Sequence, residues 1–223
     1  RTLAFLARDG FTIVELMISL LIGGVVMAGV VSAFLAQHKS YLVQDDNVFM
    51  QENLRSAVEI LTRDLRMIGY DPEGFGAGIT AAAADSITFT KGDDDGGLIT
   101  SSYSLYDAFM NTVPPSNDGL NDDLALQVTD ATGASAGRQP IAENIEVLNF
   151  VYLNGSGTVT AALGDIRTIQ FALVVRAETP DQKYVDTNTY TNLQGTTILG
   201  PPGDNFRRRL YRSSVLCRNL RNL

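Results

Sequence analysis

Histidine and cysteine, which many catalytic sites depend on, are almost absent from this chain. It contains one histidine, His38, and one cysteine, Cys217. A Ser-His-Asp or Cys-His arrangement needs a histidine beside its nucleophile, and His38 borders a long apolar run, where a polar rim residue is expected. A single cysteine excludes an intrachain disulfide and a cysteine-rich zinc site. We therefore expect a protein that is not an enzyme.

Two acidic clusters offer oxygen ligands of the kind that calcium takes. The first is DDDGG, residues 93–97, and the second is NDGLNDD, residues 117–123. The candidate ligands are Asp93, Asp95, Asp118 and Asp122. Neither cluster has the EF-hand spacing, and turns exposed to water share this composition. Two interpretations are open: solvated turns with no cofactor, and a calcium site.

Charge is distributed unevenly along the chain. The net charge is −8, but the last 17 residues contain six arginines and no acid, so the rest carries −14. These arginines have three interpretations: a solvated edge strand that resists pairing, a surface at Arg207, Arg208 and Arg209 that docks an acidic neighbour, and contact with DNA. The acidic body opposes nucleic-acid binding.

The N-terminal segment has the length of a membrane span. Residues 11–36 contain one charged side chain, Glu15, and as a helix they extend over roughly 39 Å, enough to cross a bilayer. A secretory signal places its small cleavage residue after the apolar run. Here the small residue, Gly10, comes before it, so cleavage at Gly10 would leave the whole helix on the mature protein.

The sequence GFTIVEL, residues 10–16, resembles the prepilin peptidase signal of type IV pilins and type II secretion pseudopilins. The resemblance implies cleavage between Gly10 and Phe11, N-methylation of Phe11, and pairing of Glu15 with the Phe11 amine of a neighbouring subunit. The physical cost agrees with this, because a carboxylate in a membrane helix costs roughly 2.5–3.5 kcal/mol and needs a partner or water. In the family a basic residue usually stands just before the glycine, whereas Asp9 stands there in this chain.

Beyond the apolar run the sequence keeps a helical period. Six apolar residues recur at spacings of three and four and predict one buried face: Met50, Leu54, Val58, Leu61, Leu65 and Ile68. Glycine and proline in GYDP, residues 69–72, predict the end of a helix that spans residues 11–68. Residues 51–72, together with 208–220, resemble the PilW branch of minor pilins.

The remaining sequence predicts short strands separated by polar, glycine-rich turns. The runs are residues 87–90, 98–105, 124–128, 145–153, 168–176 and 210–217. The expected fold is therefore α+β and pilin-like, with one long N-terminal helix packed on an antiparallel β-sheet. The expected parts are a leader (1–10), a transmembrane half of the helix (11–36), an amphipathic half (37–69) and a β-rich globular domain (70–223).

The resemblance implies a function as well as a fold. A PilW-like minor pilin starts in the inner membrane, with its globular domain in the periplasm. It is processed by the prepilin peptidase and joins other minor pilins and the major pilin on the assembly platform. There it primes assembly of a type IV pilus, and it ends at or near the pilus tip. Adhesion and twitching motility are activities of such pili. The alternatives are a J-type pseudopilin of a type II secretion system and a binding domain on an uncleaved signal anchor.

Overall fold

A computed structural model of the protein describes residues 10–93, 96–107 and 122–222. It divides the chain into two compact units, Arg1–Asp45 and Asp46–Leu223. Helix α1, Ile13–Arg66, contributes residues to both units. The expected limits of the helix, residues 11 and 68, each lie two residues beyond the observed ones.

In the first unit, helix α1 is apolar on every side. Its large side chains between Ile13 and Leu35 are 49–80% exposed, because no other described element packs on them. This is the one helix in the described part of the chain that is long and apolar enough to span a membrane.

In the second unit, helix α1 buries one face. Met50, Leu54, Leu61 and Leu65 are buried as the spacing predicts, but the fifth residue of this face is Ala57, whereas Val58 is only half-buried. The difference arises because Val58 lines an open groove beside the helix, whereas Ala57 is fully buried.

The helix ends at Arg66 and is followed by a tight reversal. Gly69 has a φ of +75°, and a Cβ atom built on it would lie 2.7 Å from the Leu220 side chain. A left-handed backbone and a close neighbour both require glycine here.

Ten strands follow in the part of the chain that the structure describes, all paired antiparallel. Five of them form a meander in the order β1-β2-β3-β4-β5: β1 Ile79–Ala82, β2 Ile87–Gly92, β3 Leu98–Tyr106, β4 Asp123–Thr129 and β5 Ser135–Ala142. Three more form a sheet in the order β10-β7-β6: β6 Ile145–Leu153, β7 Thr168–Arg176 and β10 Arg208–Leu216. A small ribbon pairs β8, Tyr190–Thr191, with β9, Thr197–Leu199. The observed fold is thus α+β, with three sheets where one was expected.

One buried cluster joins the helix to both larger sheets. It contains Leu61 and Leu65 from the helix, Phe89 and Tyr103 from the first sheet, and Phe171 from the second. The polar group inside it is Asp64, which is 6% exposed and accepts a 2.7 Å hydrogen bond from the Tyr103 hydroxyl. Lys91 Nζ lies 3.5 Å from the same carboxylate, so the burial of this charge is compensated.

Candidate assembly site

The predicted processing site lies at the start of helix α1. Gly10 and Phe11 precede the helix, and the Phe11 side chain is 91% exposed. The Thr12 backbone N–H and hydroxyl each donate to a Glu15 carboxylate oxygen at 2.9 Å, while the Glu15 N–H donates to the Thr12 hydroxyl at 3.2 Å. This reciprocal arrangement is a capping box, which stabilises the first turn of a helix.

Glu15 therefore has a local role that the sequence analysis missed. The signal was present, because Thr-x-x-Glu before an apolar run is the sequence pattern of a capping box. No lysine, arginine or histidine in the described ranges forms an ion pair with Glu15. Within the described ranges, its carboxylate is thus held by hydrogen bonds from Thr12.

The three arginines of the predicted docking surface have separate environments. Arg208 is buried: its side chain is 2% exposed and contacts Glu146, Asp186 at 3.2 Å and Asp204 at 2.6 Å. This guanidinium joins β10 and β6 to residues 186–204. The structure therefore removes Arg208 from the docking surface, because its donors are already bound to three carboxylates inside the domain.

Two of these carboxylates are held in the charged form. Burial would raise the pKa of Asp186, but hydrogen bonds from Tyr190, Asn188 and Arg208 outweigh it and hold the pKa below the usual range. Hydrogen bonds from Arg208 lower the pKa of Asp204 despite partial burial. Asp186 and Asp204 are thus ionised at neutral pH beside the Arg208 guanidinium.

Arg208 and its three carboxylates, Glu146, Asp186 and Asp204, form what we name the Arg208 hub. Arg207 and Arg209 flank Arg208 in the sequence. Arg207 pairs with Asp181 at 2.9 Å and its guanidinium lies 4.4 Å from the centre of the Tyr184 ring, so it is largely used within the domain. Arg209 is exposed and lines a groove beside helix α1. Of the three predicted docking residues, Arg209 is the one whose charge faces outward.

Comparison with known proteins agrees with the N-terminal motif and with the fold. Residues 7–31 match the family model described as the prokaryotic N-terminal methylation motif. Among solved structures, the chain is similar to the type IV-like pilin TTHA1219 from Thermus thermophilus, with a TM-score of 0.54 and 15% identity over 76% of this chain and 97% of that one. No curated protein sequence matches the chain. The chain thus has a pilin-like fold and carries the N-terminal methylation motif at residues 7–31.

The acidic clusters of this pilin-like protein are only partly described. Asp95 and Asp118, two of the four calcium candidates, lie outside the described residues. Asp122 pairs with Arg176 at 3.1 Å, and Asp93 begins a turn in which its N–H bonds to the carbonyl of Gly97. Within the described ranges, no group of three or more acidic, histidine or cysteine side chains could hold a metal ion.

The two residues with catalytic potential have structural environments in the pilin-like protein. Cys217 is fully buried, and burial raises the pKa of its thiol to about 12, so the thiol stays protonated and out of contact with water. His38 is exposed and stacks on Phe34, one turn earlier on helix α1.

Proposed function

We propose that this protein is a minor subunit of a type IV pilus. In this proposal the prepilin peptidase cleaves between Gly10 and Phe11, Phe11 is N-methylated, and the protein joins other minor pilins in the inner membrane. The complex primes pilus assembly and remains close to the tip. The major pilin and the assembly platform are the further partners, and the globular domain is periplasmic before assembly.

One observation supports the proposal above all others. The methylation motif continues into helix α1, and between Ile13 and Leu35 this helix exposes apolar side chains on every side. Such a surface is stable in lipid or against other helices of its kind, but not in water. A helix that first spans a membrane and then packs in a filament core meets both conditions.

An ion pair at Glu15 would fix the axial position of the helix relative to a neighbouring subunit. In hydrocarbon a carboxylate without a cation is costly, and the Phe11 amine of a neighbour would remove that cost for both groups. Because the Glu15 carboxylate is exposed at the first turn, a neighbouring amine can reach it without disturbing the fold of the globular unit.

The experiment replaces Glu15 in the organism that encodes the chain. We expect Glu15→Leu protein to be made and processed but absent from sheared filaments, with fewer filaments per cell. Ser19→Ala is the matched control, since Ser19 lies one turn further and its hydroxyl donates only to the Glu15 carbonyl. Wild-type protein should appear in the filament fraction in small amounts. Normal incorporation of the Glu15→Leu protein would contradict the proposal.

A further inference from the structure

Strand β10 is the edge of its sheet, and its outer side is unpaired. Hydrogen bonds from Ala177 N–H to the Arg207 carbonyl and from Cys217 N–H to the Arg167 carbonyl flank the pairing of β10 with β7. In an antiparallel pair the bonded residues alternate, so the odd-numbered residues of β10 bond to β7. The backbone groups of its even-numbered residues point outward, and no described backbone group bonds to them.

The other edge strands of the two larger sheets, β6, β5 and β1, are protected against pairing with a further strand. On β6, Phe150 N–H bonds to the Ala84 carbonyl and Ile145 N–H to the Asp122 carbonyl. Strand β5 has two register shifts against β4 and contains Pro140, and strand β1 has four residues and a register shift. Bulges, proline and short length are the usual means of blocking an edge. Strand β10, with nine residues in unbroken register, has none of them.

The charge on this edge favours the binding of an acidic strand. Arg209, Arg212 and Arg218 are exposed, and none of them forms an ion pair with an acid in the described ranges. A second copy of the chain is a poor guest, because the fully overlapped antiparallel register would set Arg212 opposite Arg212. An acidic strand would instead set carboxylates against Arg212.

The helix-facing side of β10 borders a groove of about 660 Å³. Apolar parts of its lining come from Val48, Leu54, Val58 and Tyr211, and its charged residues are two acids and two arginines. Side chains of an added strand would alternate between this groove and the opposite face, where Arg212 lies. A strand that fits both faces therefore alternates apolar and acidic residues.

We propose that the outer edge of β10 binds an extended acidic segment of a neighbouring filament subunit, which adds to the sheet as a fourth strand. This inference rests on the proposed function for the identity of the neighbour. Backbone hydrogen bonds supply the attachment, the groove accepts apolar side chains, and Arg212 favours acidic side chains and disfavours a second copy of β10.

The test uses the full-length protein in detergent micelles and a fluorescent peptide of alternating valine and glutamate. Binding is measured by fluorescence anisotropy. We expect the glutamate peptide to bind about twofold more tightly than the same peptide with glutamine, as one exposed ion pair of about 0.5 kcal/mol with Arg212 would give. A peptide methylated on alternate backbone nitrogens should not bind.

Ser214→Pro is the decisive variant. The Ser214 N–H points away from β7, so proline removes an outward donor and spares the sheet. We expect the variant to keep its fold and lose the peptide, and Ser214→Thr to bind as the wild type does. If Ser214→Pro fails to fold, the methylated peptide tests the same hydrogen bonds on wild-type protein.

Three results would overturn the inference. They are equal binding of the glutamate and glutamine peptides, unchanged binding by a folded Ser214→Pro protein, and a self-association that Ser214→Pro abolishes without any peptide binding, which would assign the edge to a second copy. The assay does not involve Phe11 or Glu15. Its failure therefore leaves the pilus proposal standing, and failure of the Glu15 experiment leaves this result standing.

Discussion

The Arg208 hub makes a quantitative prediction about the globular unit. In Arg208→Met the side-chain volume is nearly kept, but three carboxylates lose their common cation. Glu146 and Asp204 are 28% and 37% exposed and can be hydrated, whereas the Asp186 side chain is fully buried. Asp186 keeps hydrogen bonds from Tyr190 and Asn188, so part of its stabilisation remains.

Breaking a buried ion pair costs about 3–5 kcal/mol, and the two hydrated carboxylates place this case at the lower end. We therefore expect Arg208→Met to lower the free energy of unfolding by about 3 kcal/mol. Arg208→Lys should cost less, because an ammonium keeps the charge but loses the planar set of donors. Adding Asp186→Asn to Arg208→Met should recover part of the loss, since it removes the stranded charge.

Urea unfolding of the full-length protein in detergent, followed by near-UV circular dichroism, measures these differences. Hydrogen exchange should accelerate mainly in residues 178–206, which Arg208 ties to the sheet. An Arg208→Met protein within about 0.5 kcal/mol of wild type, the range of ordinary surface substitutions, would refute the reasoning.

Three further predictions concern other parts of the molecule. Because Asp186 and Asp204 have lowered pKa values in the folded state, their stabilisation is present above about pH 4 and is lost as the pH falls through the folded pKa values. Acid titration of wild type should show this loss, and Arg208→Met should show less. Tyr103→Phe removes a hydrogen bond to the buried Asp64 carboxylate and should cost about 2 kcal/mol in urea unfolding, whereas the exposed Tyr70→Phe control should cost under about 0.5 kcal/mol. Thr12→Val removes the capping hydroxyl and should raise amide exchange at Glu15 about fivefold, as the loss of about 1 kcal/mol implies; Thr12→Ser should exchange as wild type does, and equal exchange in all three proteins would show that the cap does not form.

Periodic and local signals were sufficient to predict the helix and the longer apolar strands. Strands β6 and β7 have the predicted limits, since both consist mainly of β-branched and large apolar residues. The Asn154 turn is also local: the Asn154 side chain accepts from the N–H groups of Ser156 and Thr158. Such features need only neighbouring residues to form.

Strands β1, β5, β8 and β9 were missed because their positions at edges or in short ribbons allow poor strand formers. Strand β5 includes Gly137 and Pro140, which an edge tolerates and a central strand does not. The glycine-rich segment 74–78 gave no sign that its backbone N–H groups would bind the Asp71 carboxylate, yet four N–H groups donate to it at 2.6–3.0 Å.

The burial of charged side chains could not be predicted from the sequence. Asp64 finds its partner 39 residues further along the chain, and the partners of Arg208 range from four to 62 residues away. The arginine-rich segment looked like one exposed patch because sequence gives charge but not the side of a strand. In the structure Arg208 and Arg209 lie on opposite faces of β10, one engaged by acids and one in the groove.

Mass spectrometry of the mature N-terminus tests the central claim most directly. The full-length gene is expressed in cells that contain a prepilin peptidase, and the N-terminal peptide of the purified protein is sequenced. The account predicts a chain that begins at N-methylated Phe11, and an unprocessed chain when Gly10→Asp blocks cleavage. A wild-type protein that retains the residues before Phe11, in cells that process their own pilins, would contradict it.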